Sequence, residues 1–283
     1  MEKCIGSYFF KNYQLMPTSS FTEHLTDISN GIYEVIRIIN KVPLFWEEHM
    51  QRLNESLALK QLPLELSPSR ILKAVEQLGT ANDIINGNIK LLIISKANNA
   101  DNPWDHFLYF TPHHYPQPRD YTEGVKVILF KAERSNPNIK IADVDLRRVI
   151  AEQLEKQSAY EALLVDPRGI ITEGSRSNVF WIKEHCLYTS PRCRILPGIT
   201  RQAIVQLCME KNYPVLEREV SLDQISEMDA AFLTGTSPKV LPIKIIEDKL
   251  YQSASHPLVQ DIMKAYDKMI DDYLEQYLIN KWS

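Results

Sequence analysis

From Gly31 to Asn40 β-branched residues alternate with polar ones, a period of two that predicts a strand. Trp46 to Gln61 predicts a helix, with Met50, Leu53 and Leu57 at helical spacing, and Pro68 to Leu78 a second, with Ser67 placed to cap it. Asn88 to Ser95 predicts a buried strand and His106 to Thr111 another. Pro112-His113-His114-Tyr115-Pro116-Gln117-Pro118-Arg119-Asp120 then breaks the pattern, and its proline and polar content predicts a domain linker. After it Gly124 to Phe130 predicts a strand, Lys140 falls in a loop, and Asp143 is placed to cap a helix running to about Lys156. Tyr160–Val165 and Ile170–Thr172 predict a hairpin around Asp166-Pro167-Arg168-Gly169, whose proline and glycine suit a type I turn. Val179–Ile182 and Cys186–Thr189 predict a second hairpin. Ile199–Lys211 predicts a helix, and Ala230–Thr234 and Val240–Ile246 predict strands. Leu258, Ile262, Tyr266, Ile270, Tyr273 and Tyr277 share one face of a C-terminal helix. Helices and strands mix throughout, which predicts an α with β fold class (α/β or α+β).

Composition narrows the function classes. A chain of 283 residues suggests about two domains, set by the linker at 1–115 and 116–283. A net charge of −4 gives no electrostatic footprint for nucleic acid or an anionic membrane. No apolar run reaches the roughly 18 residues of a membrane span, and the start lacks the zones of a signal peptide. Cys4, Cys186, Cys193 and Cys208 are widely spaced and form no CxxC pair, so neither zinc nor a disulfide framework is expected. A cytoplasmic protein with free thiols is the expectation.

The candidate chemistry lies in short motifs. Lys140 precedes Glu173 by 33 positions (173 − 140), and Glu173 lies in Thr172-Glu173-Gly174-Ser175-Arg176-Ser177-Asn178. Leu196-Pro197-Gly198-Ile199-Thr200-Arg201 and Thr234-Gly235-Thr236 follow. These supply an amine, a carboxylate and two small-residue turns able to hold a phosphate. Pyridoxal 5′-phosphate (PLP) needs a lysine for a Schiff base, an acid facing the pyridine nitrogen and N–H groups for its phosphate. Each residue also has a plainer alternative. Lys140 could be a solvated lysine, Glu173 an exposed hairpin end, Arg52 a partner of Glu48 or Glu55, and Gly198-Ile199-Thr200 an ordinary helix start. Gly174-Ser175-Arg176-Ser177 is not the GxSxG elbow of a serine hydrolase.

With Gly31-Ile32-Tyr33-Glu34-Val35-Ile36-Arg37 and Glu48-His49-Met50-Gln51-Arg52-Leu53 ahead of them, these motifs stand in the order of a known family. Over nearly its whole length the chain resembles the fold-type IV PLP enzymes, the class-IV aminotransferases. That family includes branched-chain and D-amino-acid aminotransferases and 4-amino-4-deoxychorismate lyases. The resemblance implies two α/β domains of the D-amino-acid aminotransferase type, the C-terminal one carrying the PLP lysine, with the cofactor in the cleft between them, and a homodimer. It implies Lys140 as the PLP lysine and catalytic base, Glu173 on the pyridine nitrogen, and Leu196 against the ring. Arg52, Ile199, Thr200 and Thr236 fall where the family binds phosphate, and Asn178 where it organises the backbone. Tyr33, Lys90 and Ser237 fall at the substrate. For Lys90 a second reading stays open, an amine pointing to solvent at the sheet edge. The implied activity is transfer of an amino group between a small amino acid, of branched-chain or D type, and a 2-oxo acid. Elimination of pyruvate from aminodeoxychorismate, and PLP binding without catalysis, are the alternatives. Ile141-Ala142-Asp143-Val144-Asp145 lacks the tyrosine of many branched-chain enzymes. Asn98-Asn99-Ala100-Asp101-Asn102 stands where D-amino-acid enzymes carry an arginine and a histidine, and no threonine lies near Val35, where the lyases favour one. Substrate and handedness therefore stay open.

Overall fold

The computed structural model describes residues 2–25, 28–64, 66–95 and 103–282, so Asn98 to Asn102 lie outside the described residues. The chain forms two compact units, one of residues up to 114 with 139–144 and 273 onward, the other of 115–138 with 145–272.

The first unit holds β1 (Ile5–Lys11), β2 (Gln14–Pro17), α1 (Phe21–His24), β3 (Ile32–Ile39), β4 (Val42–Pro43), α2 (Trp46–Leu59), α3 (Pro68–Ala81), β5 (Gly87–Ser95) and β6 (Trp104–Thr111). Among the described residues its strands form one antiparallel sheet in the order β2-β1-β6-β5-β3-β4. The alternation along β3 decides what each face carries. Ile32, Ile36 and Ile38 join Met50, Leu53 and Leu57 of α2 and Ile71, Val75 and Leu78 of α3 in one core. Tyr33 joins a second core with Leu92, Phe107 and Tyr109. Each buried isoleucine contributes on the order of 1.5–3 kcal/mol. Ser67 caps α3 as expected, accepting from Arg70 N at 3.4 Å. The start of α2 has no side-chain cap; Trp46 N donates instead to the Tyr273 hydroxyl at 3.0 Å.

The second unit holds α4 (Pro118–Glu123), β7 (Val125–Lys131), α5 (Val144–Gln157), β8 (Glu161–Val165), β9 (Ile170–Gly174), β10 (Asn178–Lys183), β11 (Cys186–Thr189), α6 (Ile199–Glu210), β12 (Val215–Glu217), β13 (Val220–Ser221), β14 (Ala230–Gly235), β15 (Lys239–Ile246), β16 (Lys249–Leu250) and α7 (Pro257–Trp282), whose end from Tyr273 belongs to the first unit. Its sheet runs β12-β11-β10-β14-β15-β7-β8-β9-β13, with β16 on β15. β7 pairs in parallel with β8 and β15, while the predicted hairpins β8/β9 and β10/β11 are antiparallel. Within the proline-rich linker Pro118 starts α4, where its missing N–H costs no hydrogen bond. Residues 5–17, given no element from the sequence, form β1 and β2. Helices and strands thus combine in a mixed α with β fold. No helix among the described residues is long and apolar enough to cross a membrane.

Candidate functional site

In the first unit the chemistry gathers around β3. The stretch bearing Lys140 follows the linker in sequence, yet its backbone lies along β3: Tyr33 N donates to Lys140 O at 3.0 Å and Ala142 N to Gly31 O at 2.9 Å. These bonds make it part of the first unit. The Lys140 ammonium sits 4.9 Å from the Tyr33 ring centroid, and Lys90 Nζ lies 4.8 Å from the same ring. Cation–π contact stabilises both charges. Lys90 is buried on β5, an interior strand between β6 and β3, so the edge-and-solvent reading of Lys90 is wrong. Its ammonium meets Glu2.

Glu34 points to the other face of β3, toward α2, and is fully buried. Arg52 donates to it from Nε at 2.8 Å and from Nη2 at 2.6 Å, and His49 Nδ1 lies 2.7 Å from its second oxygen. Arg52 thus pairs with Glu34. Burial alone would raise the Glu34 carboxyl, but the Arg52 charge and the hydrogen bonds from His49 and Arg52 outweigh it and hold the group at about 2. An ionised carboxylate only accepts, so His49 carries its proton on Nδ1. Burial lowers the His49 imidazole; the Glu34 carboxylate opposes this, while the nearby Arg52 and Lys140 charges reinforce it. Lys140, at the edge of β3, is therefore felt on both faces of the strand.

In the second unit Glu173 is buried at the end of β9. Its Oε1 accepts from Arg134 Nη1 at 3.3 Å, and its Oε2 from Leu196 N at 3.1 Å and Asn178 Nδ2 at 3.4 Å. Asn178 also donates to Leu196 O at 2.9 Å. One amide thus ties the carboxylate to the turn before α6. Gly198 is required there: a Cβ on it would lie 2.1 Å from Asn178 Oδ1. Gly198 is the N-cap of α6, with no side-chain cap, and Ile199 and Thr200 open the helix. Thr200 is buried and accepts from the Tyr266 hydroxyl at 3.3 Å. Thr236 and Ser237 lie in the turn between β14 and β15. Glu161 organises the segment after Glu173, accepting from the Ser177 hydroxyl at 3.0 Å and from Arg176 N at 3.2 Å.

These features fit PLP. The first-turn amides of α6 have no partner within the helix and suit a phosphate dianion. Thr234, opposite Asn178 in the β10/β14 register, has a buried hydroxyl with no hydrogen-bond partner among the described residues, as a ligand-facing group would. Glu34, His49, Arg134 and Thr234 carry no role in the sequence reading. Glu34 was detectable, as a charge on the apolar face of an alternating strand.

Residues 31–246 match the amino-transferase class IV family. The chain is 29% identical to the D-alanine aminotransferase of Bacillus licheniformis over 272 residues, 92% of this chain and 95% of that one. It is 28% identical to a probable branched-chain-amino-acid aminotransferase of Rickettsia bellii, covering 93% and 96%. In fold it is similar to the branched-chain amino acid aminotransferase of Escherichia coli, with a TM-score of 0.82, 22% identity, and 94% and 95% of the two chains covered. A putative 4-amino-4-deoxychorismate lyase of Legionella pneumophila follows the same fold, with a TM-score of 0.76, 22% identity, and 86% and 92% covered.

Proposed function

For a chain that belongs to the class IV aminotransferase family, whose cofactor is PLP, we propose transfer of an amino group from a small amino acid to a 2-oxo acid. The observation that carries the reading is Lys140, its backbone fixed to β3 and its ammonium held over Tyr33 beside the Glu34–His49–Arg52 cluster. PLP when bound supplies an electron sink for charge left on the substrate's α-carbon. Lys140 is the residue to bond the cofactor and, once released, to take and return the α-proton with Nζ. Glu173, fixed by Leu196 N, Asn178 and Arg134, is the anion to keep the pyridine nitrogen protonated. Leu196 would lie against the ring. Ile199 and Thr200 at the α6 N-terminus, with Thr236 and Arg52, are the phosphate contacts. Tyr33, Lys90 and Ser237 would face the substrate, with Lys90 and the turn amides at Thr236 and Ser237 for its carboxylate.

Branched-chain and D-amino acids are the two substrate classes this reading takes, since relatives bear names from both. The test is to add L- and D-amino acids singly to the holoenzyme and follow its visible absorbance. Bleaching by one set, with the matching 2-oxo acid released, names the substrate and its handedness. A yellow protein bleached by none would sink amino transfer and turn attention to pyruvate release from aminodeoxychorismate. The working form in this proposal is a homodimer in the cytoplasm; light scattering that reads a monomer at working concentration would remove the dimer.

A further inference from the structure

Lys90 is the most deeply buried amine near the proposed site, its side chain only 4% exposed. A buried ammonium is costly unless an anion meets it. Here the anion comes from this chain's own Glu2, three residues ahead of β1. Glu2 Oε1 takes the Lys90 ammonium, and Glu2 Oε2 accepts from the Tyr109 hydroxyl at 3.0 Å. Lys90 and Tyr109 stand directly opposite each other across β5 and β6. Two donors from neighbouring strands therefore grip both oxygens of one carboxylate, against the Tyr33 ring that also faces Lys140. Nothing in that geometry is particular to glutamate; any carboxylate of similar reach satisfies it. Glu2 itself lies outside β1, so withdrawing its side chain breaks no strand pairing.

We infer that Glu2 is a built-in occupant of a carboxylate-binding site formed by Lys90 and Tyr109, and that the carboxylate of an amino acid or 2-oxo acid binds there by displacing it. This rests on the reading that Lys90 serves the substrate. Exchange of one carboxylate for another keeps the Lys90 charge compensated at every stage, so the site never holds a bare ammonium. A tethered competitor acts at an effective concentration in the millimolar range. It weakens every free carboxylate by a common factor and leaves selection to what the rest of the substrate contacts.

The experiment is calorimetric titration of butyrate, a carboxylate without an amino or oxo group, into the holoenzyme. Glu2→Gln keeps the shape of the side chain, removes its charge and leaves one acceptor where the carboxylate offers two. It should bind butyrate about tenfold tighter than the unaltered protein, the scale of one charged hydrogen bond. Lys90→Met should abolish the binding in either background. Unchanged or weaker butyrate affinity in Glu2→Gln overturns the inference. If Lys90→Met still weakens binding in that case, Lys90 remains a carboxylate contact and only the role of Glu2 is lost. If neither variant matters, Lys90 leaves the substrate site as well, while amino transfer stands or falls on the amino-acid series above.

Discussion

Lys140→Ala should lower amino-group transfer by about 10⁴-fold, the upper range for loss of a general acid–base group, with the thermal midpoint little changed. The separation follows from how Lys140 is held. Its place depends on main-chain bonds, from Tyr33 N to its carbonyl and from Ala142 N to Gly31 O. Ile139 and Ala142 on either side are buried in the two cores of the first unit. Truncation to alanine leaves those anchors intact and removes only the amine over the Tyr33 ring. It also removes a positive charge that favours the neutral form of His49. Initial-rate assays measure the loss. Borohydride reduction followed by peptide mass mapping identifies the attachment site, since the cofactor's mass should appear on the peptide holding Lys140 and nowhere else. Glu173→Gln is the control; it should slow turnover yet keep the mass on Lys140. Cofactor mass on another lysine, or Lys140→Ala retaining a tenth of the activity, would sink the assignment.

The strands and helices were legible where one face of an element is wet and the other dry. β3 and α2 alternate at their own periods and lie within two residues of where the pattern puts them. β5 shows the limit. It is buried on both faces, so polarity does not alternate along it, and Lys90 could be read as facing solvent. Only the sheet order, with β6 on one side and β3 on the other, puts that amine in the interior. Sheet order depends on pairing between segments far apart in the chain, and periodicity carries no record of it. The same holds for Glu2, whose partners are 88 and 107 positions away. Lys140 and Glu173 stood out through motif order and spacing, which fold resemblance preserves. Arg134 and Thr234 did not, because an arginine in a loop and a threonine in a strand are unremarkable until Glu173 and Asn178 are seen beside them.

Glu34→Ala should destabilise the protein by about 3–5 kcal/mol at neutral pH, the cost of removing one partner from a buried ion pair. Arg52 would keep its charge in a site that is 5% exposed, and the His49 Nδ1 proton would lose its acceptor. Glu34→Gln should cost less, since an amide oxygen still accepts one bond. Urea unfolding of the three proteins ranks them. The pH dependence identifies the cause. The folded carboxyl sits at about 2, below its unfolded value of roughly 4.3. A depressed carboxyl stabilises fully above the unfolded value and loses that contribution as pH falls toward the folded one. Between pH 5 and pH 2 the unaltered protein should therefore lose on the order of 3 kcal/mol through this one group. Glu34→Gln, having nothing to protonate there, should show a flatter acid limb by that amount. Parallel acid limbs for the two proteins would mean that Glu34 is not the group whose ionisation holds α2 to β3. Should Glu34→Ala in addition lose cofactor at a pH where it remains folded, Arg52 without its carboxylate anchor is no longer positioned for the phosphate, as the proposed site requires.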